Sequence, residues 1–158
     1  MTIAEYHCVA LREQAMTIAG RLVETPEKVF DFFQSEMRSS PRFTPGVGNF
    51  CVIHINTRRR ITGWMVLSTG TLDTLLVHPR EVFRAAIVAN AAAIVLVHNH
   101  PSWDPCPSEA DIKVTRDMIR AGQLLKIEVL DHVIIGDMLL PEASRQWCSL
   151  KELGYFYS

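Results

Sequence analysis

The stretch AIVLVHNHPSWDPCPSEAD, residues 93–111, decides the fold. Its first five residues, Ala93 to Val97, carry no polar side chain, which is how a strand buried on both faces reads. His98 and His100 follow, two positions apart. Residues i and i+2 of a strand share a face, so both imidazoles point to one side where the chain leaves the sheet. Pro101 lets the chain turn, and Pro105 and Pro107 stiffen the loop beyond it. Ser108 and Asp111 form an S-x-x-D pattern resembling a helix capping box. A helix is therefore predicted from Ser108 to about Gly122, with Val114, Met118, Ala121 and Leu125 along one side; Gly122 is also a place where it could be interrupted. A buried strand, a polar loop and a helix in this order indicate an α/β layer fold, whose sites lie beyond strand ends.

Working outward, Thr25 and Pro26 fit the N-cap and first position of a helix. Val29, Phe30 and Phe33 give it an apolar side, and Ser39-Ser40-Pro41 ends it near Arg38. Residues 42–48 form a loop. Phe50 to Ile55 and Ile61 to Leu67 read as strands joined through Asn56–Arg60 as a hairpin. His78 and Pro79 open a helix running to about Asn90. Ile3 to Arg12 reads as a strand, and Ile127 to Ile135 as another, interrupted at Asp131-His132. The tail from Ser149 packs back on the domain. The whole, residues 1–158, is expected to be a single α/β domain with mixed strand directions.

Composition sets bounds on function. The chain has 158 residues, 48% of them hydrophobic and 21% charged, with a formal net charge of −1. That balance offers no broad attraction to nucleic acid, and Arg58 to Arg60 read as a solvated turn. No apolar run approaches the ~20 residues that a membrane span needs. The N-terminus lacks the layout of a signal peptide. Cys8, Cys51, Cys106 and Cys148 include no C-x-x-C pair, which fits reduced thiols and a cytoplasmic location. Nothing bears on oligomeric state.

Chemistry concentrates in the opening stretch. Two histidines and a carboxylate at the start of the next helix can converge on one point, the usual donor set of an open zinc site. Each part also has a plainer reading: an H-x-H pair alone is weak, and capping explains Ser108 and Asp111 without a metal. Together, H-x-H, seven residues, Ser, two residues and Asp make up the JAMM signature. The longer string His98-Asn-His-Pro-Ser, Asp104-Pro, Pro107-Ser and Asp111 closely resembles the RadC branch of the JAB/JAMM family. So do Gly70-Thr71, Pro79-Arg-Glu81-Val82, Asn90-Ala-Ala and Leu130-Asp-His-Val-Ile-Ile-Gly136, and the likeness is dense over residues 50–136. It implies an MPN-type fold, a curved mixed sheet flanked by helices. It also implies Zn2+ held by His98, His100 and Asp111, with Ser108 stabilising an oxyanion. The implied activity is hydrolysis of a peptide or isopeptide amide by zinc-activated water. The RadC branch carries a DNA-repair label, and the helix-hairpin-helix segment of its longer members is expected to have no counterpart here.

The sequence departs from that pattern where the family places a glutamate as general base. The position falls on Gly48, and residues 42–57 contain no Asp or Glu; Glu36 is the nominated substitute. Trp103 stands where a glycine is usual, and either alters the loop or covers the metal mouth. Cys106 reads as a surface thiol, with a zinc ligand as the alternative. His132 either orients a ligand or makes a structural hydrogen bond. Asn99 is expected to fix the loop, and His54 and His78 have no assigned role. Three readings follow: a zinc metallohydrolase with weakened activity, an inactive zinc-binding scaffold for a peptide or protein partner, or a DNA repair-associated binding module, which the net charge disfavours.

Overall fold

The computed structural model describes residues 21–70, 77–102, 104–136 and 145–157. The strand read at residues 3–12 lies outside these, as does Trp103. Thr25 caps α1 (Pro26–Phe32), accepting a hydrogen bond from Lys28 N, and the helix loosens into one π turn over Phe33–Met37 that ends at Arg38. Strands β1 (Asn49–Ile55) and β2 (Ile61–Thr69) form the expected antiparallel hairpin. Its turn is tied by Asn56 Oδ1, which accepts from Arg58 N and Arg60 N at 2.9 and 3.0 Å. Arg59 reaches Glu128 at 3.1 Å. Helix α2 (Pro79–Val88) leads to β3 (Ala93–Asn99), and α3 (Glu109–Leu125) to β4 (Glu128–Ile135) and β5 (Trp147–Ser149).

The sheet is mixed, in the order β2-β1-β3-β4-β5, with β3 and β4 parallel and the other neighbours antiparallel. Side-chain alternation divides its two faces. Cys51, Ile53, Val95 and Val97 pack against Val29, Phe32, Phe33 and Met37 of α1 and its π turn. Phe50, Val52, Ile94 and Leu96 pack against Val82 and Phe83 of α2 and Met118 of α3. Helices thus cover both faces, which is why β3 is apolar from end to end.

Strand β2 runs two residues beyond the sequence reading, to Thr69, β5 is a strand that reading lacks, and two expected interruptions are absent. Helix α3 passes through Gly122 and ends at Leu125, with Lys126 left-handed at φ 59° as its C-cap. A Cβ on Gly122 would lie 2.4 Å from Ile127 O, so glycine serves close approach of the chain entering β4 rather than interruption. Strand β4 is continuous through Asp131-His132; its irregularity is a bulge between the pairs Ile94↔Val129 and Val95↔Asp131. The tail packs back as expected: Leu150 is fully buried beside Ile112 and Ile134. Among the described residues no helix is long and apolar enough to cross a membrane.

Candidate metal centre

The last two residues of β3 and the first turn of α3 meet at one end of the sheet. His98 continues the face of Ile94 and Leu96, and it lies 2% exposed beside Phe50, with ring centroids 6.1 Å apart. His100 has left the strand, yet its N–H still donates to Ile135 O at 2.9 Å, extending the β3–β4 ladder by one bond. Asp111 is fully buried at the third position of α3. His98 Nδ1 lies 3.3 Å from Asp111 Oδ1, and His100 Nε2 lies 3.3 Å from Asp111 Oδ2. One donor atom from each residue falls within 4.8 Å of the others.

Capping and site geometry coexist here. Ser108 N and Oγ both donate to Asp111 Oδ2, at 2.7 and 2.6 Å, while Asp111 N donates to Ser108 Oγ at 3.2 Å. The capping box therefore fixes the carboxylate that faces the histidines. Burial works to raise the Asp111 pKa, but the nearby His100 and His98 rings and the hydrogen bond from Ser108 outweigh it and hold the carboxyl ionised, well below its usual range. His98 is pushed down by burial. For His100 burial also works downward, but Asp111 and the Asp104 carbonyl raise it.

The donors fit a divalent cation. Asp104 O lies 2.7 Å from His100 Nδ1. A carbonyl only accepts, so Nδ1 carries the hydrogen, and in the neutral ring Nε2 is a bare lone pair. Nε2 faces a carboxylate oxygen at 3.3 Å, and a cation between them would take the place of the ring's second proton. A carbonyl behind a ligating histidine is the usual support for such a ring. His98 Nδ1 and Asp111 Oδ1, buried and close but misaligned, have no hydrogen-bond partner, and two buried orphans beside each other are the kind of pair that a bound ion can satisfy.

The other nominated residues fall in different places. Asn99, between the two histidines in sequence, accepts at Oδ1 from Asn49 N and Nδ2 at 2.8 and 3.1 Å and donates from Nδ2 to Val47 O at 2.9 Å, so it clamps the loop that leads into β1. Cys106 is exposed, its N–H bonded to Asp104 Oδ1, and its sulfur is not among the converging donors. His132 lies behind the site, with Nδ1 2.6 Å from Thr115 Oγ1. Glu36 is not brought to this group. It sits in the π turn packed on the opposite face of the sheet, with Oε1 3.6 Å from Arg21 Nη1. Helix periodicity located Glu36 on a helix but gave no signal of which face that helix would cover.

Gly48, where the resemblance places a general base, is closed in by main chain. Gly70 N donates to Gly48 O at 2.8 Å, continuing the hairpin ladder past Asn49↔Thr69. A Cβ on Gly48 would lie 2.5 Å from Gly70 O. A cleft of about 350 Å³ lined by Val23, Thr25, Val29, Leu130, Asp131 and Ser149 opens on the α1 side and contains none of the converging donors.

A model of the RadC-like JAB domain matches residues 23–155. The chain belongs to this family. The RadC-like JAB domain described here is similar to a UPF0758 protein of Caldanaerobacter subterraneus, 45% identical over 134 residues that cover 85% of this chain and 52% of the relative. A UPF0758 protein of Moorella thermoacetica is 45% identical over 126 residues, covering 80% of this chain and 53% of that one. One from Methanosarcina mazei is 37% identical over 135 residues, covering 85% and 54%. The chain thus spans about half the length of the curated relatives it matches. Two contributors to the site escaped the sequence reading. Thr115, four residues after Asp111, had a usable signal, because that spacing shares a helix face. The Asp104 carbonyl had none, being main chain.

Proposed function

We propose that this JAB domain binds a zinc ion through His98, His100 and Asp111 and acts on an amide bond of a peptide or protein as a metallohydrolase of weakened activity. The convergence of three donors, with His100 Nε2 facing the Asp111 carboxylate, carries this reading. Two imidazoles and one carboxylate are the donor set of open zinc sites. Zinc bound there supplies Lewis acidity, polarising a carbonyl and acidifying water. The residues divide the remaining work. The Asp104 carbonyl holds the His100 tautomer, and the Ser108–Asp111 box holds the carboxylate. Ser108 has one hydroxyl hydrogen, now given to Asp111, and serves an oxyanion only by releasing it.

A second reading, an inactive scaffold that holds zinc and binds a peptide or protein, is favoured by one observation: Gly48 offers no proton acceptor and its surroundings are filled by Gly70. Elemental analysis of protein purified without chelator is expected to find about one zinc per chain, and none in His98→Ala. Cleavage of an isopeptide-linked fluorogenic substrate then separates the two readings: slow, zinc-dependent turnover supports the hydrolase and none supports the scaffold. Zinc-free wild type after incubation with excess zinc would sink both.

A further inference from the structure

His132 and Thr115 form a buried pair that neither ligates nor caps. Both are fully buried. Thr115 Oγ1 lies 2.6 Å from Asp111 O and 2.6 Å from His132 Nδ1. The bookkeeping of hydrogens fixes the direction of both bonds. A carbonyl accepts only and a hydroxyl has one hydrogen, so Thr115 donates to Asp111 O and must accept from His132 Nδ1–H. The ring is wholly enclosed, so its second nitrogen has no route to water. With the hydrogen on Nδ1, Nε2 is left as the acceptor of the neutral ring, and it has no partner. The ring rests against Phe50 and His98, at centroid distances of 5.7 and 6.1 Å. A residue that only filled this space would be better as an apolar side chain, because a buried acceptor without a donor is costly.

Thr115 explains what the imidazole is for. A threonine within a helix divides between two χ1 rotamers, one of which bonds the carbonyl four residues back. His132 selects that rotamer by supplying the second hydrogen bond. The carbonyl it secures belongs to Asp111, whose carboxylate meets both histidines. We propose that His132 is a positioning residue for the metal centre, acting through the Thr115 hydroxyl on the main chain of Asp111. The proposal rests on the zinc-centre reading given above.

The test measures zinc affinity by chelator competition, alongside thermal melting of the zinc-free protein. Thr115→Val keeps the shape and removes the hydroxyl, whereas Thr115→Ser keeps it. His132→Phe keeps the ring and removes its hydrogen bond, whereas His132→Asn places an N–H near the Nδ1 position. Zinc affinity is expected to fall roughly 10- to 100-fold in Thr115→Val and His132→Phe, the usual range for loss of a group supporting a ligand. Thr115→Ser and His132→Asn should bind near the wild-type level. The double variant Thr115→Val/His132→Phe should bind no more weakly than the weaker single one, because both remove the same linkage. Wild-type affinity in Thr115→Val and His132→Phe, or losses that multiply in the double variant, would overturn the proposal. If His132→Phe does not fold, the Thr115 pair decides: equal affinity in the valine and serine variants refutes it. Zinc binding by the wild type with unaffected variants removes this proposal alone; no zinc in the wild type removes the metal centre and this proposal together.

Discussion

Phe50 and His98 face each other across the β1–β3 ladder, so the histidine donors and the position of the family's general base lie at the same end of the sheet on neighbouring strands. The two regions are built differently. The donor side is made of side chains at the end of β3 and the start of α3, two of them held by a named bond: His100 by the Asp104 carbonyl and Asp111 by Ser108. The base side is made of main chain, with Gly48 and Gly70 in contact and Asn99 clamping the loop before them. Gly70 adopts φ 142°, a backbone that a side chain would strain. Holding a metal and moving a proton are thus separable requirements. The first needs only that donors converge, and the second needs a carboxylate at a backbone position with room for it.

Putting the carboxylate back is the most direct attempt to break that contrast. Gly48→Glu adds a Cβ 2.5 Å from Gly70 O and 3.4 Å from Asn99 O. Both neighbours are backbone and cannot swing aside as a flexible side chain would. The expected cost is about 3 kcal/mol or more, the upper range for overpacking, read from urea denaturation. No gain in amide cleavage should accompany it. A Gly48→Glu protein as stable as wild type and faster on an isopeptide substrate would show that the base side is merely vacant, not closed.

Much of the donor side was legible because its signals are local. Five apolar residues before His98 mark a central strand, and Ser108 to Asp111 mark a helix start. The spacing between them is enough to join the three donors. The base side was legible only as an omission, since Gly48 shows a missing carboxylate but not the Gly70 carbonyl against it. Long-range partners hid the rest. Asp131 and His132 looked like a polar interruption. In the structure they point to opposite faces, where Ser149 donates to Asp131 at 2.7 Å and Thr115 meets His132. A strand tolerates such a pair when distant segments supply the hydrogen bonds. Glu36 failed as a substitute base for the same kind of reason, because the side of the sheet on which α1 packs is a tertiary property.

Acid offers a way to sharpen the contrast, provided loss of fold is kept apart from loss of metal. His54 makes that separation possible. It lies on β1, four residues beyond Phe50, on the same face of the sheet but away from the donors, and is 6% exposed. Burial lowers its pKa to about 4, below the ordinary value near 6.5 of an unfolded chain. Between those values the unfolded state holds a proton that the folded state does not. Stability from this group is therefore fully present above pH 6.5 and is lost as pH falls toward 4. The expected loss is about 2 to 3 kcal/mol across that window, measured on zinc-free protein by denaturation at each pH. His54→Leu should make this part of the profile shallower, with the buried His132 and His98, also held down by burial, supplying the slope that remains. An unchanged slope in that variant would assign the acid sensitivity elsewhere, and zinc release on acidification would then no longer be separable from unfolding.

The smallest expected effect bears on the donor side alone. Cys106 lies in the loop between His100 and Ser108, where a thiolate would be a strong zinc ligand. In the structure its side chain is exposed, and its thiol pKa is raised by the hydrogen bond and charge of Asp104, which disfavours the thiolate. A ligand would need the opposite environment, one that stabilises the anion. Cys106→Ser should accordingly leave zinc affinity and stoichiometry unchanged in chelator competition. A measurable weakening would place the sulfur on the metal and close the open coordination position. The donor side would then resemble the base side, complete for holding a metal but blocked for turnover.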